Sequence, residues 1–321
     1  MPLDLRVYRR YEEGTQWETF VTKHVPDHVI PTQKKARTAL HTKVAPVLLT
    51  DPEFAALHAQ FQTKIALAID LVESAIRHKV PFGVVVFDSW YLAEDLVKVL
   101  ERRHNAWVSI VKKNRNIETT SFTLRDAAGE PIPFAGPHIA VEDLIPHIPA
   151  DAYRVVRVGK TTSWCFTVVV RVATLGRVRL VISFANAERT GTAALLLTNQ
   201  RDWSAQKILT TYLQRWPTET FYQDGKGHLG LDAYRMRSAE AIGKHWCLVF
   251  VAYTFLQLAC LSPSLPKESP PMKTIGDACR QQTQALIERL LLYVHERLLH
   301  GQPADVVFAH LFAKQRPLLA P

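Results

Sequence analysis

Four consecutive apolar residues, Val84-Val-Val-Phe87, stand between Pro81 and Asp88. A short β-branched and aromatic run without polar alternation fits a strand buried on both faces. Pro81 closes the element before it. Residues Leu92 to Arg103 then predict a helix, and Trp107 to Val111 a second strand. Strand, helix and strand in this order imply a parallel pair joined by a crossover, hence an α/β fold. Ligands of such sheets bind at the carboxyl ends of strands, and Asp88 stands at one. An aspartate that merely starts a turn or caps the next helix fits the same pattern.

Upstream, Thr50-Asp-Pro-Glu53 has the form of a capping box with proline in the first turn. It predicts one helix to about Lys79, with Phe54, Leu57, Phe61, Ile65, Ala68 and Leu71 on its apolar face. Residues 1–50 are polar and basic and show few periodic apolar positions. Between 116 and 200, Tyr153–Val158, Ser163–Val172, Arg177–Phe184 and Ala194–Leu197 read as antiparallel strands. Trp164 among them fits a cross-strand packing residue or a stacking surface for a displaced base. Ser204 caps the next helix, Pro217 predicts a kink near Trp216, and Gly225, Gly227 and Gly230 predict an end near Lys226. Ala239–Leu261 reads as a buried core helix. Its apolar run, Trp246 to Leu261 interrupted by Gln257, is shorter than the roughly 20 residues that span a bilayer. Residues 262–273 hold four prolines and read as a linker. Thr274–His300 reads as an amphipathic helix, suited to docking on the core or on a second protomer.

Lys and Arg number 39 against 30 Asp and Glu, a net charge of +9 that suits a polyanionic partner. Lys98, Arg102, Arg103, Lys112, Lys113 and Arg115 crowd one stretch that holds a single acid, Glu101. Lys112, Lys113 and Arg115 follow a strand end on the side of Asp88, where they fit a phosphate grip and equally a solvated basic face. The four cysteines form no CxxC pair, which argues against zinc and for reduced thiols. The charged N-terminus lacks the apolar region of a secretory signal, so a cytoplasmic location is expected.

Tyr212, Arg215, Glu219 and Lys226 lie at offsets of 0, 3, 7 and 14 residues. On one unbroken helix they fall within roughly 60° of each other. A carboxylate there suits a divalent metal, and the cations and phenol suit phosphates. A plain Arg215–Glu219 ion pair on an exposed face fits the spacing as well. The pattern Tyr-x2-Arg-x3-Glu-x6-Lys resembles the signature of the IS4-type DDE transposases, including their IS701-like branch. Val84 to Tyr91 resembles the strand that ends in the second catalytic aspartate of that family. The resemblance covers roughly Pro2 to Leu261. It implies an RNase H-like catalytic core in which three carboxylates, Asp88 and Glu219 among them, hold two Mg²⁺ ions. It implies that Tyr212, Arg215 and Lys226 grip phosphates. Lys112, Lys113 and Arg115, singled out by charge and position, are expected as further DNA-binding residues. The resemblance also implies a β-rich insertion within the 131 residues between Asp88 and Glu219. The implied partners are transposon terminal inverted repeats, target DNA and a second protomer, without a membrane.

The first aspartate of that family belongs on a strand well before the second. The upstream aspartates here are Asp4, Asp27, Asp51 and Asp70, and none ends an apolar strand. The expected organisation is therefore an RNase H-like core incomplete at its N-terminus (1–115), a β-rich insertion (116–200), the rest of the core with the Tyr-Arg-Glu-Lys motif (201–261), a linker (262–273) and a helical tail (274–321). The expected function is metal-dependent cleavage and strand transfer at transposon ends, with this chain inactive alone. A non-catalytic DNA-binding remnant and a different RNase H-like nuclease are the alternatives.

Overall fold

The polar N-terminal stretch buries a core of its own. The computed structural model describes residues 3–261 and 273–312. It forms helices α1 (Tyr11–Gly14), α2 (Trp17–His24), α3 (Lys34–Leu48) and α4 (Pro52–Gln60). Trp17, Phe20 and Val21 of α2 meet Leu40, Val44 and Leu48 of α3 and Phe54 of α4 in one buried cluster. Each helix contributes a narrow apolar stripe, so the sequence shows little periodicity although the cluster is continuous. Asp51, one residue later than the expected Thr50, caps α4 by accepting from the backbone N–H of Glu53 (2.9 Å) and Phe54 (3.3 Å). Its other oxygen meets Lys23 at 2.9 Å and His24 at 2.7 Å. Those two partners, Lys23 foremost, hold the Asp51 carboxyl below the usual range.

The single helix expected from 51 to 79 is two. Phe61 is extended (φ −66°, ψ 130°), and Thr63 opens a new helix, α5 (Lys64–Arg77), by accepting from Ala66 N–H at 3.1 Å. A Thr cap three residues beyond the last turn offers the backbone a second start.

Arg37 donates to both oxygens of Glu12, at 2.6 and 2.5 Å, and His41 lies 2.6 Å from the first. The Arg37 contact, assisted by His41 and opposed by burial, pulls the Glu12 carboxyl from 4.5 down to about 2. A carboxyl depressed in the folded state stabilises above its unfolded value and loses that contribution as pH falls. The urea midpoint of the N-terminal helices should therefore drop as pH falls from about 4.5 towards 2. Glu12→Gln should flatten that drop, and an unchanged pH profile in the variant would refute the assignment.

Strand β1 (Val84–Phe87), helix α6 (Glu94–Arg102) and β2 (Ala106–Ile110) form the parallel crossover unit, with Val85 opposite Trp107 and Phe87 opposite Ser109. Two short strands, β3 (Asn116–Glu118) and β4 (His138–Ala140), precede a one-turn helix, α7 (Val141–Leu144). The strands β5 (Arg154–Val158), β6 (Thr161–Val172), β7 (Gly176–Phe184) and β8 (Ala194–Thr198) follow, all antiparallel to their neighbours. The block expected as an insertion is not a separate sheet. β8 pairs with β2, so all eight strands join in the order β1-β2-β8-β7-β6-β3-β4, with β5 on β6. The result is a mixed α/β fold around a mostly antiparallel sheet. Trp164 stands opposite Val155 and Phe184 in the ladder, half-buried, as a cross-strand residue.

The sheet is covered on two faces. Phe87, Trp107, Leu180, Ile182, Leu195 and Leu197 join one core with Leu96, Val97 and Leu100 of α6. The alternating residues Val108, Val181 and Leu196 join another with Ile208 of helix α8 (Ala205–Leu213). This is the period-2 logic of a sheet read from both sides. β1 lies at the sheet's edge, and its outer side has no strand partner among the described residues.

The remaining helices are α9 (Trp216–His228), α10 (Ala239–Leu261), α11 (Ile275–Leu299) and α12 (Ala304–Phe312). The chain divides into two compact units, Asp4–Pro217 and the residues from Thr218 onward. In the second unit Phe221, Leu231, Val249, Tyr253 and Ile275 form the core. Helix α11 starts as expected, with Thr274 and Asp277 in a reciprocal capping box. The expected linker at 262–273 lies almost wholly outside the described residues. α10 departs from the expected core helix. Only Val249 and Tyr253 of it are buried, while Leu248, Val251, Phe255, Leu258 and Leu261 are exposed. It begins at Ala239, seven residues before the apolar run, and at 23 residues, with an 18-residue stretch of mean hydropathy 1.4, it is long and apolar enough to cross a bilayer. Length alone thus does not set it apart from a membrane span.

Candidate functional site

Asp88 follows directly on β1, and its geometry is that of a fixed turn. Its Oδ1 accepts from the backbone N–H of Trp90 at 2.8 Å. Its carbonyl accepts from Tyr91 N–H at 3.2 Å and from the Ser109 hydroxyl at 3.3 Å. Ser109 is fully buried on the neighbouring strand, so the turn is tied to the sheet. The second carboxylate oxygen of Asp88 accepts no hydrogen bond among the described residues. The turn expected as one reading is present, and the half-buried carboxylate keeps one oxygen for another partner.

A cleft of about 410 Å³ begins at Ser89 and is lined by Lys112, Asn114, Arg115, Asn116 and Thr174. Two cations and no carboxylate face it, which suits an anion. Lys112 places its ammonium 4.8 Å above the ring of Trp90. Arg115 donates to the Leu92 carbonyl at 3.1 Å, which anchors the guanidinium at the cleft wall. Lys113 does not join them: it pairs with Glu142 at 2.9 Å. The chain turns here, with Arg115 N–H donating to the Lys112 carbonyl at 3.0 Å, and the expected run of three cations is split in this turn. Ser89, Trp90 and the two asparagines were not singled out by sequence. Their only signal was proximity to a strand end.

The Tyr-Arg-Glu-Lys face is not one helix. α8 ends at Leu213, Gln214 and Arg215 form a turn, and α9 starts at Trp216. The turn is tight, with Gln214 N–H donating to Thr211 (3.1 Å) and Arg215 N–H to Tyr212 (3.0 Å). Pro217 has no N–H to give, so it occupies the first turn of a new helix and does not kink an old one. The one-face argument therefore fails between Tyr212 and Glu219. It survives in two halves. The Arg215 guanidinium lies 5.8 Å from the Tyr212 ring, which itself packs on Val108, Val181, Leu196 and Ile208. Glu219 and Lys226, seven residues apart, share an exposed face of α9. Lys226 is helical. The helix end lies beyond it at His228, where Leu231 N–H reaches back to the Gly225 carbonyl at 2.9 Å and Gly230 takes φ +64°. A side chain at Gly225 would press on Leu231 at 3.2 Å. Asp88 belongs to the first unit and Glu219 to the second.

The family model for the transposase DDE domain matches residues 30–255. The chain belongs to the transposase DDE domain family. Among curated proteins none matches it. A transposase domain implies DNA as its partner, and DDE domain families use divalent metals. Among the described residues no three His, Cys, Asp or Glu side chains are grouped as ligands for a metal. Asp88 offers the hard oxygen that such ions prefer, but one donor is not a site. Three of the four upstream aspartates are committed elsewhere, and Asp27 lies exposed in the segment after α2. Asp4 accepts from Leu5 N–H, Arg6 and the Ser74 hydroxyl, Asp70 pairs with Arg6 at 2.5 Å, and Asp51 caps α4. The donor set among the described residues does not fill a three-carboxylate site.

Proposed function

We propose that this chain is the greater part of an IS4-type transposase catalytic domain, of the IS701-like branch, that cleaves and joins DNA at transposon ends. The observation that carries this reading is Asp88. In a DDE-family chain it stands at the carboxyl end of a strand, with a free oxygen, where a cationic cleft begins. Asp88 and Glu219 are metal ligands in this reading, with Mg²⁺ the ion. A third carboxylate comes from a strand that completes an RNase H-like sheet along the free edge of β1. The partners are terminal inverted repeats, target DNA and a second protomer, in the cytoplasm.

Lys112, Arg115, Arg215 and Lys226 act on phosphates in this reading. Removing one cation that neutralises a phosphate should lower the slope of log affinity against log salt by about 0.9. Binding of labelled transposon-end duplex should therefore weaken and become less salt-dependent in Lys112→Ala and in Arg215→Ala. Lys113→Ala, whose ammonium is engaged by Glu142, should change the slope little. A slope unchanged in the first two variants would leave Lys112 and Arg215 with a structural role and would count against the reading.

A further inference from the structure

We propose that the cleft between β5 and the start of α8 is a second anion site, and that it takes a phosphate group with three unesterified oxygens. No residue of the Asp88 cleft lines it, and the inference does not rest on Asp88 or Glu219 holding metal.

The cleft encloses about 490 Å³ on the sheet face that α8 covers. Arg179 stands two residues from Val181 in β7, and Thr167 stands opposite Val181 in the ladder. Both therefore share the face on which Ile208 packs. Arg154 joins them, since it pairs with Cys165, two residues before Thr167. Arg157 enters from β5, which borders no strand but β6 among the described residues. Three guanidinium groups and no carboxylate thus line one cleft. The ion pairs that arginines make among the described residues involve none of these three. Like charges in one cleft repel, and an anion among them relieves the repulsion.

Two of the cations are held in place, unlike those of a solvated basic face. Arg179 donates through Nη1 to the Thr167 hydroxyl at 3.1 Å and through Nε to the Arg201 carbonyl. Arg154 donates to the Asp151 carbonyl. These anchors are neutral, so they orient the planar forks and leave their charge uncompensated. Helix α8 adds two donors. Ser204 caps it by accepting from Lys207 N–H at 3.2 Å, and Ala205 and Gln206, in its first turn, have no carbonyl within the helix to bind. Both line the same cleft, where the helix start adds partial positive charge to that of the arginines. Three forks and two backbone donors exceed what the two oxygens of a carboxylate accept. A phosphate with three free oxygens matches them better and brings close to two negative charges. Such a group comes either free in solution or from the 5′ end of a nucleic acid.

The test uses the full chain in EDTA at fixed ionic strength, with two probes. Calorimetric titration with inorganic phosphate reads the free anion. A 5′-phosphorylated duplex, compared with the same duplex ending in a 5′-hydroxyl, reads the nucleic-acid end. Replacing both exposed arginines, Arg154→Ala with Arg157→Ala, should weaken phosphate binding at least about tenfold. Arg154→Lys with Arg157→Lys should keep part of it, and Lys112→Ala in the Asp88 cleft should keep all of it. A preference for the phosphorylated duplex that the double alanine variant loses assigns the site to a nucleic-acid end. Arginine-dependent binding of inorganic phosphate without that preference assigns it to the free anion. Phosphate binding undiminished in the double alanine variant, lost in Lys112→Ala instead, or absent with both probes overturns the inference. The transposase reading is judged apart from it, by binding of the 5′-hydroxyl duplex.

Discussion

Nicking of transposon-end DNA with Mg²⁺ is expected to be undetectable with the 321-residue chain and to appear when a segment ending a hydrophobic strand in aspartate is added ahead of it. The expectation comes from where the carboxylates are. Asp88 keeps one oxygen free at a strand end. Asp4, Asp51 and Asp70 are bound by arginine, lysine, histidine, hydroxyl or backbone donors and belong to folding. Losing one ligand of a site that stabilises transition-state charge by several kcal/mol should slow cleavage by at least about a thousandfold. In the extended protein, Asp88→Asn and Glu219→Ala should each return cleavage to background. Glu219-dependent cleavage by the 321-residue chain alone would mean that an upstream aspartate leaves its partners and serves as the third ligand.

The strand–helix–strand unit around Asp88 was legible because its signals are local and agree. A β-branched run, an amphipathic helix and a second apolar run each have one reading, and β1, α6 and β2 fall within two residues of it. The four long strands β5 to β8 were legible for the same reason. Their pairing was not. Nothing in the alternation of β8 states that Leu196 and Leu197 lie beside Ile110 and Ser109 of β2. That joint makes the β-rich block part of the central sheet, and it is a non-local choice. The N-terminal helices were illegible because Trp17, Leu40 and Phe54 are scattered among lysines and histidines and meet only in the folded cluster.

The candidate site was partly legible. Family spacing pointed to Tyr212, Arg215, Glu219 and Lys226, but Pro217, expected to kink one helix, instead does what proline does best and stands in the first turn of a new one. Two shorter helices result, and the residue offsets of a single helix do not carry across the break. Lys112 and Arg115 were found by charge, yet charge could not tell them from Lys113, whose partner Glu142 is 29 residues away.

Trp107→Ala is expected to have the largest effect on stability and to reach the site through β1. Trp107 is fully buried, stands opposite Val85 in the parallel ladder and packs on Phe87 with ring centroids 5.9 Å apart. Its backbone N–H is also held by the Asn199 side chain at 3.0 Å, which ties β2 to the end of β8. Removing a buried indole costs about 3–5 kcal/mol through the forfeited transfer energy and the cavity left behind. For a unit of this size that corresponds to a melting shift on the order of 10 °C. β1 has β2 as its only strand neighbour among the described residues, so the loss of the Trp107–Phe87 packing falls on an edge strand held otherwise by its ladder to β2 and by its contacts with α6. Phe87 immediately precedes Asp88, and the turn bound by Trp90 N–H and Ser109 should loosen with it. Hydrogen exchange at Trp90 and Tyr91 should accelerate in Trp107→Ala more than at Val178 or Leu180 in the middle of β7. Trp107→Phe, which keeps a ring against Phe87, should recover most of the protection. Uniform acceleration across the sheet would show that Trp107 supports the unit as a whole and holds no special place beneath the site.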